Sequence, residues 1–237
     1  MLLIPTITLT SMKPAGVAAP GPTPAAAEPL QLAVNWIQAG ARRLHLADAD
    51  GKPAGMEAIR ALSQAHPKIT LQVSGVIRDE SAVDKYLRAG AEYVVLDTKA
   101  ASTPHLVNDL CLEYPGHILV AMEARSGKVA ADGWSKLAQQ SAVDAAQHFQ
   151  REGVAGILYR ADDTGGEGWN FDAALSLSQA LTISVLVSGG LDSLVAVTKL
   201  CSSGATLGGA ILDAAFKAPA KDFAKVMQLA GLASATE

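Results

Sequence analysis

The sequence is poor in the residues from which redox and metal sites are built. Cys111 and Cys201 are the two cysteines of 237 residues. They stand alone, with no CxxC and no Cys/His ligand spacing, so a disulfide framework and a structural zinc site are both unsupported. Charge is also scarce, at 18% of residues. The 19 basic residues are scattered against 23 acidic ones, a net charge of -4, which argues against a nucleic-acid footprint. No apolar run approaches the roughly 20 residues of a membrane span. Met1–Leu9 is apolar but short and lacks a basic lead-in, so it reads as a buried strand rather than a signal peptide. There is no GxSxG nucleophile elbow and no dinucleotide glycine fingerprint. Apolar residues make up 49%, too many for a disordered chain. The expectation is a soluble, cytoplasmic globular protein with a large core. No cofactor, metal, nucleic acid or membrane is expected, and a protein partner is left open.

What the chain does have is alternation. Short aliphatic runs read as buried parallel strands at Leu2–Thr8, Arg43–Ala47, Ile69–Val73, Tyr93–Leu96, Ile118–Met122, Gly156–Tyr159, Ile183–Val187 and Gly209–Leu212. Between them, apolar residues at helical spacing mark Pro29–Ala39, Gly55–Ala65, Ser81–Ala89, Pro104–Glu113, Ser141–Glu152, Asp172–Ala180, Ser193–Ser202 and Ala220–Ala230. Strands alternating with helices imply βαβ units and a parallel sheet covered by helices. Eight such units match an α/β fold of the closed (β/α)8 TIM-barrel type, as one domain over residues 1–237. An open doubly wound sheet is the competing architecture.

The two halves echo each other. Val73-Ser74-Gly75 recurs as Val187-Ser188-Gly189, 114 residues later, and Gly90 recurs as Gly204 at the same offset. Asp97 and Asp213 close the fourth and eighth strands, and Thr8 and Glu123 close the first and fifth. This pattern predicts duplicated half-barrels, about 1–115 and 116–237. Residues 10–29 interrupt the rhythm with five prolines and no apolar period, and read as a long loop after the first strand. On a barrel that loop lies at the catalytic face, as a lid or as a plain insertion.

Strand ends at that face carry Thr8, Asp48, Ser74, Asp97, Glu123, Arg160, Ser188 and Asp213. Any one acid there can be a turn or helix cap. Four acids on one rim need a cation, protonation or pairing, for which Arg160 and Lys99 are the nearby cations. The repeated turns Ser74-Gly75 and Ser188-Gly189-Gly190 precede helices, where backbone N–H groups can meet an anion. Two tight turns without a ligand are the plainer reading. Trp134 and Trp169 sit in glycine-containing loops, able to stack on a flat ring or to cap the rim. His45, inside the second strand, reads as a hydrogen-bonded core residue.

Ile4-Pro5-Thr6-Ile7, Leu44-His45-Leu46-Ala47-Asp48-Ala49-Asp50-Gly51, Gln72-Val73-Ser74-Gly75-Val76-Ile77-Arg78, Gly133-Trp134 and Ser188-Gly189-Gly190 occur in order along the chain. Together they resemble the HisA/HisF family, which includes the ProFAR isomerase of histidine biosynthesis. The resemblance implies a half-barrel duplication and an Amadori aldose–ketose isomerisation, an intramolecular oxidoreduction, of a substrate with a phosphate at each end. It implies an acid and a base, both Asp, ending the first and fifth strands. Here those positions hold Thr8 and Glu123, and the family's sixth-strand threonine falls on Arg160. Where the family has glycines after the fourth and eighth strands to hold phosphate, this chain has Asp97 and Asp213. Ser74, Gly75, Arg78, Trp134, Ser188, Gly189 and Gly190 are the retained ligand-binding positions.

The resemblance leads to three readings. The first is a divergent HisA-like paralogue without standard ProFAR isomerase activity, binding a different metabolite at the barrel mouth; paralogues of this kind occur outside histidine biosynthesis. The second is an active isomerase with a rearranged site, using Glu123 with an acid such as Asp48. The third is a non-catalytic binding or interaction barrel.

Overall fold

The computed structural model describes residues 1–9, 27–103, 105–125, 128–129, 140–161, 171–202, 206–214, 216 and 224–228. The segment 10–26 of the long loop, Trp134 and Trp169 lie outside the described residues. In chain order the elements are β1 (Leu2–Thr8), α1 (Ala27–Gln38), β2 (Arg43–Asp48), α2 (Pro53–Ala65), β3 (Thr70–Gly75), α3 (Glu80–Arg88) and β4 (Tyr93–Leu96). They continue with α4 (Thr98–Ala101), α5 (Leu106–Glu113), β5 (Ile118–Arg125), β6 (Lys128–Val129), α6 (Ala142–Glu152), β7 (Gly156–Ala161), α7 (Phe171–Ala180), β8 (Ser184–Ser188), α8 (Leu194–Cys201) and β9 (Gly209–Leu212).

The strands run β4-β3-β2-β1-β9-β8-β7-β5, and β4 also pairs with β5, so the sheet closes on itself. Every pairing is parallel except that of the two-residue β6, which folds back antiparallel on β5. The result is an eight-stranded parallel barrel with intervening helices, the (β/α)8 architecture. Several bounds differ from the sequence pattern; β5, for one, runs on to Arg125 and is followed by the added β6. The helix after β4 is split, because Asp97 caps a separate short turn, α4, ahead of α5. The helix before β2 starts at Ala27, two residues earlier than the apolar period indicates.

Closure creates two apolar layers. Ile4, Val95, Leu119, Leu158, Leu186 and Ile211 form a compact cluster, with every member buried. Each comes from an alternate, inward position of β1, β4, β5, β7, β8 or β9. The larger cluster lies between the outer strand faces and the helices, with Leu3, Ile7, Leu44, Leu46, Val73, Val94, Trp36 and Phe149 among its members. β2 and β3 supply no side chain to the buried inner cluster. Their alternate residues are Arg43, His45 and Ala47, and Gln72 and Ser74, in register as His45↔Gln72 and Ala47↔Ser74.

Candidate functional site

A cavity of about 370 Å³ opens where the strands end. Its wall includes Thr6 and Thr8 from β1, His45 and Ala47 from β2, Ser74 and Gly75 from β3, and Glu123 from β5. Arg160 of β7, Ser188 of β8, and Asp97 and Asp213 just past β4 and β9 complete the rim. Val95, Leu158 and Ile211 form an apolar floor, which is the top of the inner cluster. Positions 8, 97, 123 and 213 therefore surround one common space.

The charged groups on this wall are already engaged. Arg160 Nη1 donates to Glu123 Oε1 at 3.3 Å, across the register pair Glu123↔Arg160 of β5 and β7. Arg78 Nη1 donates to Asp97 Oδ2 at 3.0 Å, so Arg78 serves the rim through Asp97 and is not part of the wall. The other Asp97 oxygen accepts the Ala100 amide at 2.7 Å and caps α4. An Asp at this position satisfies an N–H that the helix leaves unpaired. Lys99 is exposed and makes no ion pair among the described residues.

Asp213 lies at the matching place in the opposite half. Its amide donates to the Leu191 carbonyl at 3.0 Å, which sets its carboxyl beside the Gly190 and Leu191 backbone N–H groups. Burial pushes its pKa up; those two amides and the charge of Arg160 pull the other way. Gly189 and Gly190 both take positive φ, 89° and 66°, which lets the turn wrap around that carboxylate. They shape the rim from behind and are not part of the cavity wall.

Asp48 requires a correction. It ends β2, but its side chain points away from the mouth and is 0% exposed. Its Oδ2 accepts the Tyr86 hydroxyl at 2.9 Å and its Oδ1 accepts the Gly51 amide at 3.1 Å. Burial raises its pKa despite these donors. Alternation decides this: Arg43, His45 and Ala47 are the inward residues of β2, so Asp48 falls on the helix side. There it locks the turn after β3. A Cβ on Gly75 would lie 2.6 Å from the Asp48 carbonyl oxygen and 2.7 Å from the Tyr86 hydroxyl, so only glycine fits.

The same parity exposes a residue that the sequence pattern assigns to the core. His45 is 7% exposed yet reaches the cavity wall. Its Nδ1 lies 2.9 Å from Gln72 Nε2, and its Nε2 lies 3.0 Å from Ser74 Oγ. Burial, together with the charges of Arg43 and Arg160, pulls its pKa down to about 4, so the ring is neutral at physiological pH. His45 and Thr6 lie two residues before Ala47 and Thr8 and share their inward parity. Among the described residues no three His, Cys, Asp or Glu side chains come close enough to hold a metal ion. No helix among them is long and apolar enough to cross a membrane.

Comparison with known proteins agrees with this architecture. The family model described as histidine biosynthesis protein matches residues 20–218. A relative from Thioalkalivibrio sulfidiphilus is 41% identical over 210 residues, covering 86% of this chain and 87% of its own. One from Nitrosococcus oceani is 42% identical over 195 residues, 79% and 78% of the two chains. A third, from Methylococcus capsulatus, is 42% identical over 212 residues, 86% of each. All three are named 1-(5-phosphoribosyl)-5-((5-phosphoribosylamino)methylideneamino) imidazole-4-carboxamide isomerase. A closed barrel of eight parallel strands, a family model spanning most of the chain and relatives above 40% identity lead to one conclusion: the chain belongs to the histidine biosynthesis protein family of HisA/HisF barrels.

Proposed function

We propose that this chain is a divergent HisA-like paralogue that binds a small metabolite at the barrel mouth and does not carry out ProFAR isomerisation. The observation that carries this reading is the occupation of both rim turns by the chain's own carboxylates. The names of the relatives describe a substrate with two phosphoribosyl groups. In this chain Asp97 takes the α4 amide and the Arg78 guanidinium, and the Asp213 carboxyl lies beside the Gly190 and Leu191 amides. A phosphate at either place would meet a negative charge where it needs donors.

The centre of the site supports the same reading. Proton transfer at two faces of a substrate needs an acid and a base. Thr8 has no hydrogen-bonded activator among the described residues, and Glu123 is tied to Arg160. The test is turnover of ProFAR by the folded protein. The expected rate is the no-enzyme background, and turnover above it refutes the reading.

A second reading rests on the identity of about 41% to named isomerases over most of the chain. It is an active isomerase in which Glu123 works with Asp213, Asp48 being turned away from the cavity. That version requires Glu123→Gln and Asp213→Asn each to abolish a measurable rate.

A further inference from the structure

The buried inner layer of the barrel takes an apolar side chain from each of six strands and polar ones from the other two. From β2 and β3, His45 and Gln72 enter the space that the inner cluster leaves, and Ser74 stands above them at the cavity wall. Gln72 is fully buried, and its amide faces His45 Nδ1 at 2.9 Å. With that amide donating, the His45 proton sits on Nε2 and is donated to Ser74 Oγ at 3.0 Å. The Ser74 hydroxyl hydrogen is then free to point into the cavity. The hydroxyls of Thr6, Thr8 and Ser188 share this wall. The carboxylates are tied to Arg78, Arg160 and backbone amides. Beside these engaged carboxylates, which disfavour an anion, the wall offers a ligand a set of hydroxyls above an apolar floor of Val95, Leu158 and Ile211.

We infer that the cavity takes an uncharged, hydroxyl-bearing molecule with a flat apolar part, of the nucleoside class, and that Ser74, set by His45 and Gln72, is its specificity-determining contact. The inference rests on the reading that this mouth binds a metabolite other than a bis-phosphorylated one, and it names the class. A cavity of about 370 Å³ is at the small end of ligand sites, in keeping with one ring and one sugar. A neutral relay suits a neutral ligand, because the partners of a buried uncharged group need not be ionised to hold it.

The experiment is calorimetric titration of the full chain with imidazole-4-carboxamide riboside and, separately, with its 5′-monophosphate. The riboside is expected to bind at least about tenfold tighter than the monophosphate, and Ser74→Ala to weaken riboside binding about tenfold. Ser74→Ala leaves the buried His45 Nε2–H without its acceptor and should lower the melting temperature by a few degrees, so its affinity is read well below that transition; Ser74→Thr, which restores the acceptor, should recover part of both stability and affinity. Equal or tighter binding of the monophosphate overturns the inference, as does absence of riboside binding or an unchanged affinity in Ser74→Ala. A monophosphate preference without ProFAR turnover removes the uncharged-ligand inference alone. The same preference with turnover removes the proposed function as well.

Discussion

Replacing Asp213 by glycine tests the electrostatic reasoning most directly. In the wild type the Gly190 and Leu191 amides point at its carboxylate. Removing it frees two N–H donors in a turn that already has the positive-φ geometry of an anion nest. A phosphate seated there would lie about 5 Å from the wild-type carboxylate, and at an effective dielectric near 20 each charge pair costs about 3 kcal/mol. The rim is open to water, so roughly a third of that survives screening, about 1 kcal/mol per phosphate charge. For a dianion the sum is about 2 kcal/mol, a gain of about 30-fold in affinity. Asp97→Gly should add less, because Arg78 already neutralises Asp97 at 3.0 Å. Its cost to α4 should be small, since glycine is tolerated at an N-cap. Titration of inorganic phosphate and of sulfate at low ionic strength, repeated at high salt, measures both gains. If the folded double variant binds neither anion more tightly than the wild type, the acids do not face those sites.

Three further outcomes follow from buried groups. Tyr86→Phe removes a donor from the fully buried Asp48 carboxylate and should cost about 1.5–3 kcal/mol in urea unfolding; a loss under about 0.5 would mean that the 2.9 Å contact carries no weight. Gly75→Ala must push its methyl into the Asp48 carbonyl and the Tyr86 hydroxyl, and should lower the melting temperature by several degrees, while a neutral result would mean that the turn relaxes freely. Acid should weaken the fold through His45: its pKa is about 4 in the fold and near 6.5 unfolded, so the unfolded chain binds the extra proton between those values. Stability then falls by about 3 kcal/mol as pH drops from about 6.5 to about 4, and His45→Gln should flatten that slope. Asp48 and Asp213, whose pKa values are raised, act in the opposite direction at the acid end.

The strands and the identity of the rim residues were legible from the chain alone. Short aliphatic runs between amphipathic stretches force a parallel sheet covered by helices, and eight repeats of that unit favour closure. The acids that end β4, β5 and β9 could be named from strand ends, and closure brings all three to one cavity. What the chain could not show was the parity of each strand. Strands buried on both faces carry apolar residues at odd and even positions alike, so no alternation marks the inside. Asp48 and His45 are three residues apart in the same strand; the pattern sends Asp48 to the mouth, where it does not lie, and reads His45 as a hydrogen-bonded core residue, which it is, without showing that it also reaches the cavity wall. Only the closed barrel decides that His45 faces Ser74 while Asp48 faces Tyr86, because curvature fixes which side of each strand is the interior.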